Sequence, residues 1–464
     1  MLDVGAALRY ARSNRARFVE ELSALVRIPS VSSDPGSAPH VERCARWLAD
    51  HLRRIGFPNA RLVRAGGPPI VVAERRAKAD DRPTLLVYGH YDVQPADPIG
   101  AWQSPPFEPV VRNGALYGRG ASDDKGQFFA HLKALESWIA GAGELPVHVR
   151  VILEGEEEVG SNTLRAWIVK HRDTLRSNAA LLSDMVMRGP GQPTLNYAVR
   201  GQVAMEIELA GQDRDLHSGQ FGGAVHDPAQ AMAELLASMH EPSGRVAIDG
   251  FYDTVRTPSR RERRYMTRVA PRDAEILTAA GATVGWGEPG FTLYERSTAR
   301  PALTINGIAS GYAGAGSKAV IPSRAVAKLS VRTVEGQDPQ RVVQQVKRHV
   351  RRVLRPTMRA RVTTTMAVPA ATVETSHPVM RAARAACVRG FGREPVMLRL
   401  GGTIPVVSTL RSALGIPAIM LGLALPDDRL HAPNEHFELE NFFRGIDTSI
   451  WLLRLLANRA MGTS

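Results

Sequence analysis

Four apolar runs in this chain each end on side chains that can bind a metal or move a proton. TLLVYG (84–89) delivers His90 and, two residues on, Asp92; VRVILEG (149–155) delivers Glu156, Glu157 and Glu158. AALLSD (179–184) ends on Asp184, and IPAIMLGLA (416–424) leads through a short loop to His431. A further loop, YGRGASDDKG (117–126), sets Asp123 and Asp124 just before a helical stretch. Each piece has an ordinary explanation. A histidine after a strand is usually hydrogen-bonded in place, a glutamate triplet is usually solvated, and Ser122 or Asp123 could simply cap the helix. Taken together they say more, because carboxylates are costly to gather without a counter-charge. Two histidines and several carboxylates at strand ends are best neutralised by a divalent metal.

Imidazole nitrogen with carboxylate oxygen suits Zn²⁺, Mn²⁺ or Co²⁺. One metal would be over-supplied by these groups, whereas two metals sharing a carboxylate would be well served. Metals about 3.5–4 Å apart can activate water and polarise a carbonyl together. A neighbouring carboxylate outside the ligand set then acts as general base. Glu157 and Glu158 can divide those roles, since consecutive side chains point differently.

The elements that must position these groups follow from periodicity. Over residues 1–200, helical patterns (VERCARWLADHLRRIGF, FFAHLKALESWIAGAG, SNTLRAWIVKHRDTL) alternate with the apolar strands. This predicts an α/β fold with a mixed, largely parallel central sheet flanked by helices, and ligands at the carboxyl ends of its strands. The rhythm resumes near residue 377 with HPVMRAARAACVRGF, the IPAIMLGLA strand and a closing helix over 441–460. Between these parts, VAMEIELAG (203–211) and AVAKLSVRTV (325–334) alternate, and each precedes an amphipathic helix: HDPAQAMAELLASMHE and DPQRVVQQVKRHVRRVL. Two such strand–helix pairs predict a small α+β domain inserted at 201–370, dividing the catalytic domain into 1–200 and 371–464. The stretch 240–300, rich in Gly, Pro and Arg, predicts no clear element.

Composition limits the remaining classes. A chain of 464 residues exceeds one ordinary core, and 44% hydrophobic with 23% charged residues is that of a soluble globular protein. No apolar stretch approaches the roughly 20 residues of a membrane span. MLDVGAALRYARSNRARF reads as an amphipathic helix rather than a signal peptide, so the cytoplasm is the expected location. Cys44 and Cys387 sit in helical patterns and predict buried free thiols rather than a disulfide framework. The formal charge of +13 is concentrated in 256–268 and 346–361. The second cluster is the solvated face of a helix with an apolar stripe at Val342, Val343, Val346, Val350, Val353 and Leu354, and neither interleaves aromatics. No specific nucleic-acid role is expected. GYAGAGSK (311–318) reverses the Lys-Ser order of a phosphate loop and follows TINGI rather than a strand opening a nucleotide fold, so no nucleotide site is expected there.

GHYDVQP, YGRGASDDKG, LEGEEEVGS, SDM, DLHSGQFGG and LHAPNE occur in that order. Together they resemble the di-zinc aminoacylase, carboxypeptidase and dipeptidase family, which includes carnosinases, acetylornithine deacetylase and succinyl-diaminopimelate desuccinylase. GHYDVQP, DLHSG with its following GG, GYAGAGSKAVIP and RLGGTIPV are most similar to the carnosinase-like dipeptidase branch. The resemblance spans essentially the whole chain and implies a zinc-exopeptidase fold whose insert serves as lid and dimerisation surface. It implies that Asp123 bridges two metals, with His90 and Asp184 completing one site and Glu158 and His431 the other. LEGxEExGS sets the register that makes Glu157 the general base. Asp92 would orient His90, and the Asp123–Asp124 peptide bond would be cis. His217 would reach the partner subunit's active site to stabilise the oxyanion, while Arg332 and Thr403 hold the substrate carboxylate. The expected activity is hydrolysis of dipeptides or short peptides with two divalent ions, zinc first and manganese or cobalt as alternatives. Deacylation of N-acyl amino acids is the nearest rival, and a non-catalytic peptide- or metal-binding homologue the remote one.

Overall fold

The apolar runs become adjacent strands of one sheet. The computed structural model describes residues 2–457. Its sheet runs in the order Arg61–Val63, Ile70–Arg75, His148–Glu154, Thr84–His90, Ala179–Leu182, Ala418–Gly422, Thr194–Val199. The middle four strands are parallel. Their outer neighbours pair antiparallel. Leu85–Tyr88 and Ala179–Leu182 are buried without alternation, as expected for strands covered on both faces. The helix Lys125–Glu136 is buried along its whole length and continues into a π-helical turn at Ser137–Gly141. It begins three residues earlier than the FFAHLK pattern predicted. Asp124 holds its N-cap position without a side-chain cap, so neither Ser122 nor Asp123 is spent on capping. The closing helix is Leu439–Leu456, and positions 458–460 of the expected run lie outside the described residues.

The chain divides into two units: one comprises the residues up to Tyr197, Val373–Leu398 and Pro405 onwards, the other Ala198–Thr372 with Arg399–Ile404. The second unit contains a four-stranded antiparallel sheet in the order Ala302–Ser310, Arg324–Thr333, Gly201–Ala210, Arg359–Val368. Gly201–Ala210 alternates strictly between buried and partly exposed positions. Its inward Val203, Met205, Ile207 and Leu209 join Ala325, Ala327, Leu329 and Val331 in one core. The helices Pro228–Ala237 and Pro339–Val353 close that core with Met232, Leu235, Val342, Val346 and Val350. Both helices start the same way. An aspartate (Asp227, Asp338) accepts a first-turn N–H, and proline follows at the first helical position, where no N–H is needed.

Three readings of this region change. The antiparallel sheet of this region has four strands, not two, because its edge strands do not alternate clearly, and Leu216–His217 pairs with Val320–Ile321 in a separate short ladder. TINGI lies within the Ala302–Ser310 strand. That strand pairs antiparallel at a sheet edge, and 311–319 follows it as irregular chain, so the geometry of a phosphate loop is still not met. The stretch 240–300 holds three short helices, Arg260–Val269, Asp273–Ala280 and Leu293–Thr298. Among the described residues, no helix is long and apolar enough to cross a membrane.

Candidate metal centre

Glycine explains why the Thr84–His90 strand delivers its histidine where it does. A Cβ on Gly89 would lie 2.3 Å from Phe128 Cβ, so the buried helix packs directly on the strand there. His90 emerges one residue later, in register with Glu154 of the neighbouring strand. Its Nε2 lies 3.2 Å from Asp123 Oδ1 and 3.8 Å from Asp184 Oδ1. The other oxygen of Asp123 lies 2.8 Å from His431 Nε2, which in turn is 3.3 Å from Glu158 Oε1. Asp123 therefore faces two groups at once: His90 with Asp184, and Glu158 with His431. Ligand atoms within each group all lie within 4.8 Å of one another, close enough to hold a metal ion. His90 and Asp123 are buried. The His431 side chain is 52% exposed and leaves one side open. The Asp123–Asp124 peptide bond is cis.

Glu157 and Glu158 open a short 3₁₀ turn after the His148–Glu154 strand. Asp92 holds that turn: its Oδ1 accepts the N–H of Glu157 at 3.2 Å and its Oδ2 that of Glu158 at 3.1 Å. His90 Nδ1 lies 3.1 Å from the Asp92 carbonyl oxygen and 3.4 Å from its carboxylate. Asp92 is thus placed to orient His90 largely through its backbone, and its carboxylate serves the two glutamates, a task the sequence did not reveal. Gln94, also unassigned beforehand, donates to Glu158 Oε2 at 2.8 Å. Its only signal was its place in GHYDVQP.

The electrostatics fit a cation at each group. Burial, reinforced by neighbouring Asp123, pushes Asp184 up to about 6. Burial also raises Glu157, with Asp184, Glu154 and Glu158 adding to the effect. Hydrogen bonds with Asp123 and then Glu158 lift His431 to about 10. Asp123 is the exception: burial would raise it, but its hydrogen bonds with His431 and His90 hold it down. Upward shifts of Asp184, Glu157, His90 and His431 together mark a site that draws positive charge. Glu158 Oε1 is buried, and beyond the 3.3 Å contact with His431 Nε2 it has no hydrogen-bond partner among the described residues, which leaves an acceptor that a metal could take. A third trio, Glu21, His51 and Glu136, has comparable spacing. There the Lys133 ammonium already sits among the acceptors, bonded to Glu21, 2.9 Å from His51 Nε2 and 2.8 Å from Glu136. That trio is a buried ion-pair network, and the donor sets at the strand ends are the ones that suit two metals.

Three predicted residues belong to the second unit. Arg332 Nη1 donates to Thr403 Oγ1 at 2.6 Å and to Gln202 Oε1 at 2.9 Å, so Arg332 and Thr403 are brought together. Arg200 joins them. It is held by the Gly401 carbonyl at 2.7 Å, and burial followed by the nearby Arg332 charge lowers its pKa to about 10. Two guanidinium groups this close form an electropositive spot, of which the sequence signalled only Arg332. His217 is exposed and caps the short Ser218–Phe221 helix, its Nδ1 accepting the Gly219 N–H at 3.0 Å.

Comparison with known proteins agrees with this geometry. A model of the peptidase family M20/M25/M40 matches residues 86–454. The Cys-Gly metallodipeptidase DUG1 of Candida albicans is 30% identical over 453 residues, covering 94% of this chain and 93% of the relative. The Beta-Ala-His dipeptidase of Mus musculus is 30% identical over 457 residues, covering 94% and 92%. Among solved structures, the M20 family metallo-carboxypeptidase Sso-CP2 from Sulfolobus solfataricus superposes with a TM-score of 0.84 at 29% identity, covering 95% of this chain and 99% of that one. The matched segment contains every residue of both candidate metal-binding groups, and this chain belongs to the peptidase family M20/M25/M40.

Proposed function

We propose that this protein is a dipeptidase that hydrolyses dipeptides or short peptides with two divalent ions. The observation that carries the reading is Asp123, one carboxylate facing His90 with Asp184 on one side and Glu158 with His431 on the other. Two bound ions would polarise the scissile carbonyl and make water acidic enough to lose a proton at neutral pH. Glu157 takes that proton and hands it to the leaving amine, a role suited to its raised pKa. Asp92 keeps Glu157 and Glu158 in register while they act. Arg332 and Thr403 anchor the free carboxylate of the substrate. His217, from a second copy of the chain, steadies the developing oxyanion.

The wider assignments rest on the same reading. Zinc is the preferred ion, the donor set being imidazole and carboxylate. The residues 1–200 and 371–464 form the catalytic domain, and 201–370 the lid and dimerisation domain of a homodimer. Buried free thiols at Cys44 and Cys387 support a reducing, cytoplasmic setting. The dipeptidase relatives favour peptide-bond hydrolysis over deacylation. The test is a panel of dipeptides, longer peptides, and acetyl- and succinyl-amino acids, each assayed with Zn²⁺, Mn²⁺ and Co²⁺. Dipeptides should give the highest kcat/KM. Preference for the N-acyl amino acids would overturn the reading.

A further inference from the structure

Glu435 follows His431 by four residues and belongs to neither group of ligand atoms. Its side chain is 0% exposed. Oε1 accepts the backbone N–H groups of Ser122 and Asp123, both at 3.0 Å. Oε2 accepts the Gly120 N–H at 2.9 Å and the Arg119 guanidinium at 2.6 Å. The Glu435 carbonyl accepts from Gly118 N at 3.0 Å, and the next residue, His436, pairs with Tyr117 in a small antiparallel ladder. A second tie runs alongside. Ser122 Oγ donates to Asp428 Oδ2 at 2.6 Å, and Leu425 N donates to the same oxygen at 2.8 Å. The segment carrying His431 and the turn carrying Asp123 are therefore joined by two buried carboxylates.

The chemistry of that joint is specific. Three inward N–H groups of one turn, with a guanidinium beside them, need an acceptor with four lone-pair sites, which only an ionised carboxylate supplies. One of those N–H groups is that of Asp123 itself, whose side chain serves both metal-binding groups. The other end of the joint is equally constrained: His431 stands in the left-handed region at φ 59°, where a non-glycine residue has few alternatives. We infer that Glu435 is a positioning residue for the metal centre, locking Asp123 against His431 so that both ions meet preset ligands. The inference rests on the reading that these side chains hold metal.

The test titrates metal-stripped wild-type and Glu435→Gln proteins with Zn²⁺ against a chromophoric chelator and records the melting temperature of each stripped protein. Glutamine keeps the volume, but its amide NH₂ must face an N–H donor on one side. Both Zn²⁺ equivalents should bind about 10-fold more weakly or worse, because Asp123 serves both. Affinity equal to wild type overturns the inference whatever happens to the melting temperature, and so does weakening confined to one equivalent. Should the glutamine variant fail to fold, Glu435→Asp, which keeps the charge but withdraws it by one methylene, is read by the same criteria. A wild-type protein that takes up fewer than two equivalents refutes the ligand assignment instead and removes the ground of both readings.

Discussion

Replacing Asp92 with asparagine changes one atom in a residue that is 0% exposed and touches no solvent-facing surface. Its two carboxylate oxygens accept the N–H groups of Glu157 and Glu158 at 3.2 and 3.1 Å. An asparagine can satisfy only one of them, and its NH₂ must point at the other. A buried donor left unsatisfied costs about 1–3 kcal/mol, and the remaining bond loses its charge assistance. The combined loss is about 2–3 kcal/mol, falling on the turn that presents the proposed base and one proposed metal ligand. If that loss is expressed in the transition state, kcat/KM drops about 30- to 150-fold at 1.36 kcal/mol per tenfold. The drop should lie in kcat, with KM within about twofold, because Asp92 has no contact available to substrate. The assay is steady-state dipeptide hydrolysis at saturating metal, with the metal content of each protein measured beside it. A variant within about threefold of wild type in kcat/KM would refute the claim that these two hydrogen bonds hold the catalytic turn.

Other perturbations follow from the same geometry. Glu157→Gln keeps both ligand groups intact, so two metal equivalents should still bind while turnover falls about 10²- to 10⁴-fold; near-normal hydrolysis sinks the general-base assignment. Arg332→Met should cost about 2–3 kcal/mol, roughly 30- to 150-fold in kcat/KM, for dipeptides with a free carboxylate. It should also abolish the wild-type preference for those substrates over their C-terminal amides; an undiminished preference counts against the anchor. His131 is buried between the Ser449 and Ser183 hydroxyls, and burial pushes its pKa down to about 3. The unfolded chain binds that proton near pH 6.5 and the folded one does not, so stability is full above 6.5 and lost as pH falls towards 3. Between pH 7 and 5 the loss from this residue is about 2 kcal/mol, read as the difference in unfolding free-energy slope between wild type and His131→Gln; equal slopes contradict it.

Most of the candidate metal-binding residues were legible because they follow apolar strands, and parallel strands carry their ends to one edge; Asp123 instead stands in a loop before a helix. His90, Asp184 and Glu158 needed only that rule. What stayed hidden depends on three-dimensional neighbours. The carboxylate of Asp92 and the Glu435 side chain act on backbone N–H groups, which every sequence offers alike, so no residue type announces the partner. Gln94 and Arg200 matter through a single contact each, with Glu158 and beside Arg332. The strands Ala302–Ser310 and Arg359–Val368 lie at sheet edges, where few of their residues are buried and the period of two fades. The helix Arg260–Val269 buries only Met266, and Asp273–Ala280 buries nothing, so neither shows the apolar stripe by which helices are read.

The central claim, that paired groups sharing Asp123 run peptide hydrolysis with two ions, is tested most directly by reconstitution. Chelator-stripped protein is titrated with Zn²⁺ while dipeptide hydrolysis and bound metal are followed together. Activity should be near zero without metal and should reach its plateau at two equivalents per chain. Full activity in the stripped protein, or a plateau at one equivalent with no further uptake, would contradict the account.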